Sequence, residues 1–172
     1  MKKLKKVIAL LLTAVMALAM LTACGGGSGS GDSRTEKERY VDGINDHLNR
    51  YVSGYSNNLK YDSGLDQKAK DYQNTYESLR KNGNKDSDAK ELARKASGMS
   101  GKEYVIVTRE LGNSLTERER ILLVANAIQY DVGDEYLAKY QWNVSYAWGA
   151  ASTGKQTVPI YIVLYCLGDT RQ

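Results

Sequence analysis

The stretch Val158-Pro159-Ile160-Tyr161-Ile162-Val163-Leu164-Tyr165-Cys166 is apolar at nearly every position, the pattern of a central strand. Pro159 falls near its start, where a missing N–H is tolerated. Such a strand has to be hidden by other elements, and the chain supplies them in order. Val41, Ile44, Leu48, Tyr51, Val52 and Tyr55 recur at helical spacing and predict a first helix from about Thr35 to Gly54. Leu65, Ala69, Tyr72, Tyr76 and Leu79 repeat the pattern, with Gly83 as a stop. A shorter third helix follows Ser87 through Ala89, Leu92, Ala93 and Ala96. Thr116-Glu117-Arg118-Glu119 reads as a capping box that opens a fourth, carrying Ile121, Leu122, Ala125 and Ile128.

Two more segments read as strands. Tyr104-Val105-Ile106-Val107-Thr108 is short, β-branched and dense enough for burial on both faces. Trp142, Val144, Tyr146 and Trp148 alternate with smaller or polar residues, so one face is strongly apolar, and residues 149–156 form the hairpin loop to the last strand. The expected class is α+β, with helices packed around a small, mainly antiparallel sheet. The chain has 13 Tyr and no Phe, so its aromatic core has to be built from Tyr and Trp, whose polar atoms want partners when buried. A carbohydrate or lipid platform of tyrosines is the sharper reading of the same excess.

The first 23 residues stand apart from this domain. Lys2, Lys3, Lys5 and Lys6 precede an apolar run from Val7 to Met20, and Leu21-Thr22-Ala23-Cys24 closes it with small residues. The run is shorter than the roughly 20 residues of a permanent span, which makes it a secretory signal. Of the 24 bases, those four lie here, leaving 20 against 20 acids, so nucleic acid is not an expected partner. Residues 24–33 are a Gly/Ser linker behind Cys24, and 34–172 are the domain.

Leu21 to Cys24 resembles the lipobox of bacterial lipoproteins. The resemblance implies that Cys24 is lipidated with diacylglycerol and becomes the new N-terminus, anchoring an exported protein to the outer side of the cell membrane. A Gram-positive surface is the favoured setting. Cys166 is then left without a partner thiol, and its parity with Ile160, Ile162 and Leu164 predicts that it is buried and inert.

Further along, Asn45, Gly54, Asn58-Leu59-Lys60-Tyr61-Asp62 and Leu65 to Tyr72 follow the order and spacing of the opening of the CAP domain. This is the family of cysteine-rich secretory proteins, antigen 5 and plant pathogenesis-related proteins, with a bacterial SCP-like branch. The helix from Thr116 to Tyr130, the loop Asp131 to Glu135 and the two closing strands resemble its far end, so the likeness covers residues 37–168. The family implies a cleft where two histidines and nearby glutamates hold a divalent metal. Here Tyr72 occupies the first histidine position, Gly133-Asp134 replaces the Gly-His pair, and Glu103 matches a family glutamate. Without two imidazoles the site loses its preferred metal ligands, so neither metal nor cofactor is expected.

The chemistry of catalysis is thin elsewhere. His47 is the one histidine and lies off the first helix's apolar stripe, as a solvated residue would. It is far from Cys166 and on a different element, so no Ser–His or Cys–His pairing has sequence support, and no Gly-rich phosphate loop precedes a helix. Asp131, Asp134 and Glu135 offer oxygen ligands for calcium or are simply solvated. The reading is a non-catalytic, CAP-like lipoprotein domain that binds a small ligand, lipid, cell-wall fragment or envelope protein through a cleft of Tyr72, Glu103 and Asp134. The alternatives are a divergent hydrolase using Glu103 and Asp134 as paired carboxylates, or a protein-docking scaffold.

Overall fold

The computed structural model describes residues 34–151 and 156–169. The signal segment, Cys24 and its linker lie outside these residues. Helix α1 spans Glu36–Tyr51 and is started by Thr35, whose hydroxyl accepts from the Glu38 amide while the Glu38 carboxylate accepts from the Thr35 amide. Val41, Ile44 and Leu48 are buried as their spacing requires, but Tyr51 is 64% exposed. The helix ends there, so Val52 and Tyr55 reach the core from the following turn rather than from the stripe.

After α1 comes a strand that the periodicity did not announce, β1, Leu59–Tyr61. A single turn then leads into α2, Asp66–Lys81, and α3, Asp86–Ala96. Strand β2 covers Tyr104–Gly112, α4 Glu117–Val132, α5 Asp134–Lys139, β3 Tyr140–Trp148 and β4 Thr157–Asp169. The capping box at Thr116 and Glu119 forms as expected. Asp131 to Glu135 is not the loop its acids suggested: α4 continues through Asp131, Gly133 breaks it at φ +89°, and Asp134 opens α5.

The sheet order is β1-β3-β4-β2. β4 pairs antiparallel with both β2 and β3, and β1 lies parallel to β3 through Leu59↔Trp142 and Tyr61↔Val144. The fold is therefore α+β with a mainly antiparallel sheet. β4 is central, and Ile160 to Leu164 are all buried. β2 is an edge strand instead of a doubly buried one, and only Val107 and Leu111 on it are fully buried.

Side chains that alternate along these strands feed two separate cores. On one face Val107, Val144, Ile162 and Leu164 meet Val41, Ile44 and Leu48 of α1 and Val124 and Ile128 of α4. On the other, Tyr161, Val163 and Ala147 meet Ala69 and Tyr72 of α2, Ala93 of α3 and Met99. Tyrosine does the work that Phe does elsewhere: Tyr40, Tyr55, Tyr72, Tyr146 and Tyr161 are all buried. Most find a polar partner, as for the Tyr55 hydroxyl on Asn45 Oδ1 and the Tyr161 hydroxyl on Glu77 Oε1 at 3.0 Å.

Candidate functional site

The residues expected to share a cleft are divided by the sheet. Tyr72 is 2% exposed inside the α2–α3 core, stacked on Tyr76 with ring centroids 6.0 Å apart and edge-on to Tyr161. Burial is the main force pushing its hydroxyl up to about 12, the Asp86 charge adds to it, and the Thr108 hydrogen bond and Arg94 charge oppose it. Glu103 lies in the turn before β2, and it opens onto the opposite face, beside Val105. There it lines a hollow of about 500 Å³ together with Val105, Val132, Tyr136, Trp142 and Cys166. Asp134 is exposed in the first turn of α5 and is not among the residues that line this hollow. Tyr72, Glu103 and Asp134 do not form one cleft.

Glu103's groove is made by strand ends. The turn before β2 brings Lys102 and Glu103 to it and β2 brings Val105, β3 enters with Tyr140 and Trp142, and β4 leaves it with Cys166, Leu167 and Gly168. The register explains its shape. Trp142 pairs with Cys166 and Gln141 with Gly168, so Leu167 is an extra residue bulged out of the ladder. A bulge bends the strand and redirects its side chains, and Leu167 ends 55% exposed on the groove. Tyr136, 57% exposed, flanks the same hollow and stacks on Tyr140 at 5.8 Å. Apolar walls with the Glu103 and Asp131 carboxylates and the Lys102 ammonium at the rim suit an amphipathic ligand.

Cys166 is half-buried on this groove, not sealed in the core, although it lies on the apolar parity expected of it. The bulge is the reason, since it opens the sheet beside Cys166. His47 is also only partly exposed: its Nε2 is 2.8 Å from Asn126 Oδ1 and its ring lies 4.5 Å from that of Tyr51. It borders a separate hollow of about 650 Å³ between α1 and α4, whose lining mixes the charged Asp46, Arg50, Glu117 and Arg118 with Tyr51, Ile121 and Leu122.

A polar centre that the sequence did not flag surrounds Asp66, the first residue of α2. Its carboxylate accepts from Lys37 Nζ at 2.7 Å, from the Tyr61 hydroxyl at 2.8 Å and from the buried Ser145 hydroxyl. Burial works to raise the Asp66 carboxyl, but the hydrogen bonds from Lys37, Ser145 and Tyr61 and the Lys37 charge outweigh it and hold the group below its ordinary 3.8. Beside it a hollow of about 310 Å³ is lined by Lys70, Gln73, Tyr146 and Trp148. No spacing of chemistry-bearing residues pointed to Asp66, because its partners come from three elements.

Among the described residues no cluster of three or more His, Cys, Asp or Glu is placed to hold a metal ion. Nor, among them, is any helix long and apolar enough to cross a membrane. No protein-family model, curated protein or solved structure matches the chain.

Proposed function

We propose that the protein is an exported lipoprotein, anchored to the cell membrane through Cys24, whose CAP-like domain is non-catalytic and binds a ligand or an envelope partner. The observation that carries the binding reading is the apolar groove beside Glu103, where Leu167 and Tyr136 are exposed although both would be better hidden. Leucine and tyrosine side chains left in water at the mouth of a 500 Å³ hollow gain free energy when an apolar group covers them. The anchoring reading rests on Lys2 to Lys6, the apolar run and Leu21 to Cys24. The CAP-like reading rests on the order of motifs along the chain.

The hydrolase alternative asks Glu103 to work with Asp134, and it is weakened because Asp134 does not line the hollow that Glu103 lines. The candidate ligands are fatty acids and sterols, each with an apolar part and a polar end, and cell-wall fragments. Thermal unfolding of the protein with each class in turn tests the binding reading. A ligand at 100 times its Kd adds about 2.7 kcal/mol of stability, and Trp142→Ala should abolish that gain. Metabolic labelling with palmitate tests the anchor: Cys24→Ala should lose the label and leave the membrane fraction. Hydrolysis of a peptide or glycan that Glu103→Gln removes would replace this proposal with the enzyme.

A further inference from the structure

β1 covers the edge of β3 through the pairing Tyr61↔Val144 and then stops, while β3 runs on to Trp148. In an antiparallel ladder alternate residues turn both backbone groups to the same side. The Gly149 amide bonds the Pro159 carbonyl of β4 at 2.8 Å, so odd-numbered residues at this end of β3 serve β4, and Tyr146 and Trp148 turn away from it. The Tyr146 carbonyl is taken by Lys37 Nζ at 3.2 Å. Among the described residues no backbone carbonyl takes the Tyr146 or the Trp148 amide. Backbone donors beside a cavity call for an acceptor to fill it.

These residues form one wall of the hollow of about 310 Å³, and α2 forms the other with Asp66, Gln67, Lys70 and Gln73, which share a helix face. Asp66 is already saturated by Lys37, Tyr61 and Ser145. The side-chain amide of Gln67 donates to Asp71 Oδ1 at 2.8 Å and that of Gln73 to Glu77 Oε2 at 3.5 Å, which leaves both Oε1 atoms as open acceptors. Lys70 has no ion pair or hydrogen bond among the described residues. The β3 wall therefore donates and the α2 wall accepts, with an ammonium between them and the indole of Trp148 at the side.

We propose that this hollow binds an N-acetylated sugar of a glycan chain. A trans secondary amide points its C=O and N–H in opposite directions, so an acetamido group spans the two walls as a peptide unit of the missing strand would. Its carbonyl accepts from the Tyr146 or Trp148 amide, and its N–H donates to Gln73 Oε1. The sugar hydroxyls accept from Lys70 and donate to Gln67 Oε1, and the C–H face of the ring packs on Trp148. Lys37 and Asp66 neutralise each other, so the ligand needs no charge. A peptide strand would ask for a longer edge and for apolar pockets to hold alternate side chains, whereas β3 offers two outward residues flanked by amides and an ammonium. The site shares no lining residue with the groove beside Glu103 and stands whether or not that groove binds.

The test uses the full chain, purified from membranes in detergent and titrated with di-N-acetylchitobiose and with cellobiose, β-linked disaccharides that differ in their acetamido groups. Calorimetry should give chitobiose an affinity at least about tenfold above that of cellobiose, since the missing amide forfeits hydrogen bonds of about 1 kcal/mol each. Nuclear magnetic resonance should show the Tyr146 and Trp148 amide signals moving with chitobiose. Gln73→Ala should weaken chitobiose about fivefold, the worth of one hydrogen bond, and Lys70→Ala, at an exposed position, should weaken both sugars. No binding of chitobiose, equal affinity for cellobiose, signals that move only elsewhere, or variants that bind as the parent does would each overturn the proposal. An acetylated tripeptide that moves the same two signals where the sugar does not would replace it with a peptide site.

Discussion

Lys37 Nζ lies 2.7 Å from Asp66 Oδ1 and 3.2 Å from the Tyr146 carbonyl, and so ties α1 to α2 around the edge of β3. β1 covers that edge only as far as the Asp62 amide, which bonds the Val144 carbonyl at 3.0 Å. Two residues on, the Tyr146 carbonyl has lost its strand partner and takes an ammonium instead. The same ammonium lies 5.3 Å from the centre of the Tyr146 ring. The helices of the two layers are thereby clamped at the place where the sheet is one strand short.

Asp66→Asn should destabilise the protein by about 1–2 kcal/mol at pH 7, because the Ser145 and Tyr61 hydroxyls and Lys37 lose a charged acceptor. The Lys37 part is small, as both partners are about a third exposed. The Asp66 carboxyl is held below 3.8 in the folded state, so its contribution is present above that pH and is lost as the pH falls through the lower, folded value. Urea unfolding at a series of pH values checks this: the gap between the parent and Asp66→Asn should close only in strong acid.

The Tyr40 hydroxyl is buried with no hydrogen-bond partner, while its ring packs 5.0 Å from that of Tyr146. Burial is the principal force raising its pKa. Tyr40→Phe keeps the ring and removes the unsatisfied group, so it should leave stability unchanged or raise it by about 1 kcal/mol. Differential scanning calorimetry of the variant checks the sign, and a clear loss of stability would reveal a partner for the hydroxyl.

Gly149 follows β3, and a Cβ placed there would come 2.1 Å from Glu77 Oε1 and 2.6 Å from Pro159 Cγ. Glu77 is the acceptor of the Tyr161 hydroxyl, so the clash would be passed to a buried bond. Gly149→Ala should cost about 1–3 kcal/mol, measurable by urea unfolding. Adding Glu77→Gln would not relieve it, because the amide occupies the same space and Pro159 remains in the way.

Leu167→Glu places a charge on the apolar groove at a position that is already 55% exposed. Thermal stability should change by no more than about 0.5 kcal/mol. Affinity for an apolar ligand should fall about tenfold or more, as a charged group must be desolvated on binding. Calorimetric titration with whichever ligand raises the unfolding temperature separates the two effects.

Much of this architecture is legible in the sequence. The spacing of Val41, Ile44 and Leu48 found α1, the box at Thr116 and Glu119 found the start of α4, and the unbroken apolar run after Val158 found the central strand. These are local signals, carried by neighbours three or four positions apart on a helix or two apart on a strand. β1 was missed because three residues hold too little pattern to be read, and its parallel partner lies about 80 residues away. Tyr104 to Thr108 looked doubly buried because β-branched density does not tell an edge strand from a central one.

The candidate site shows where such reasoning stops. Glu103 was found and does line a groove, but Tyr72 and Asp134 were assigned to it from their order in the chain. A strand sends successive side chains to opposite faces, so residues whose order along the chain suggests one site still part company when their elements pack on different sides of the sheet. Leu167 became a groove residue through one extra position in β4 opposite Gln141 and Trp142. Asp66 became a polar centre through Lys37, Tyr61 and Ser145, which are gathered from α1, β1 and β3. The sequence alone determined the four longer helices, the three longer strands, their order and the Tyr-built core, because periodicity and composition act over a few residues. Tertiary structure alone decided which strand lies at the edge, which side chains meet at the groove and which face Tyr72 joins, because strand pairing and bulges depend on residues far apart in the chain.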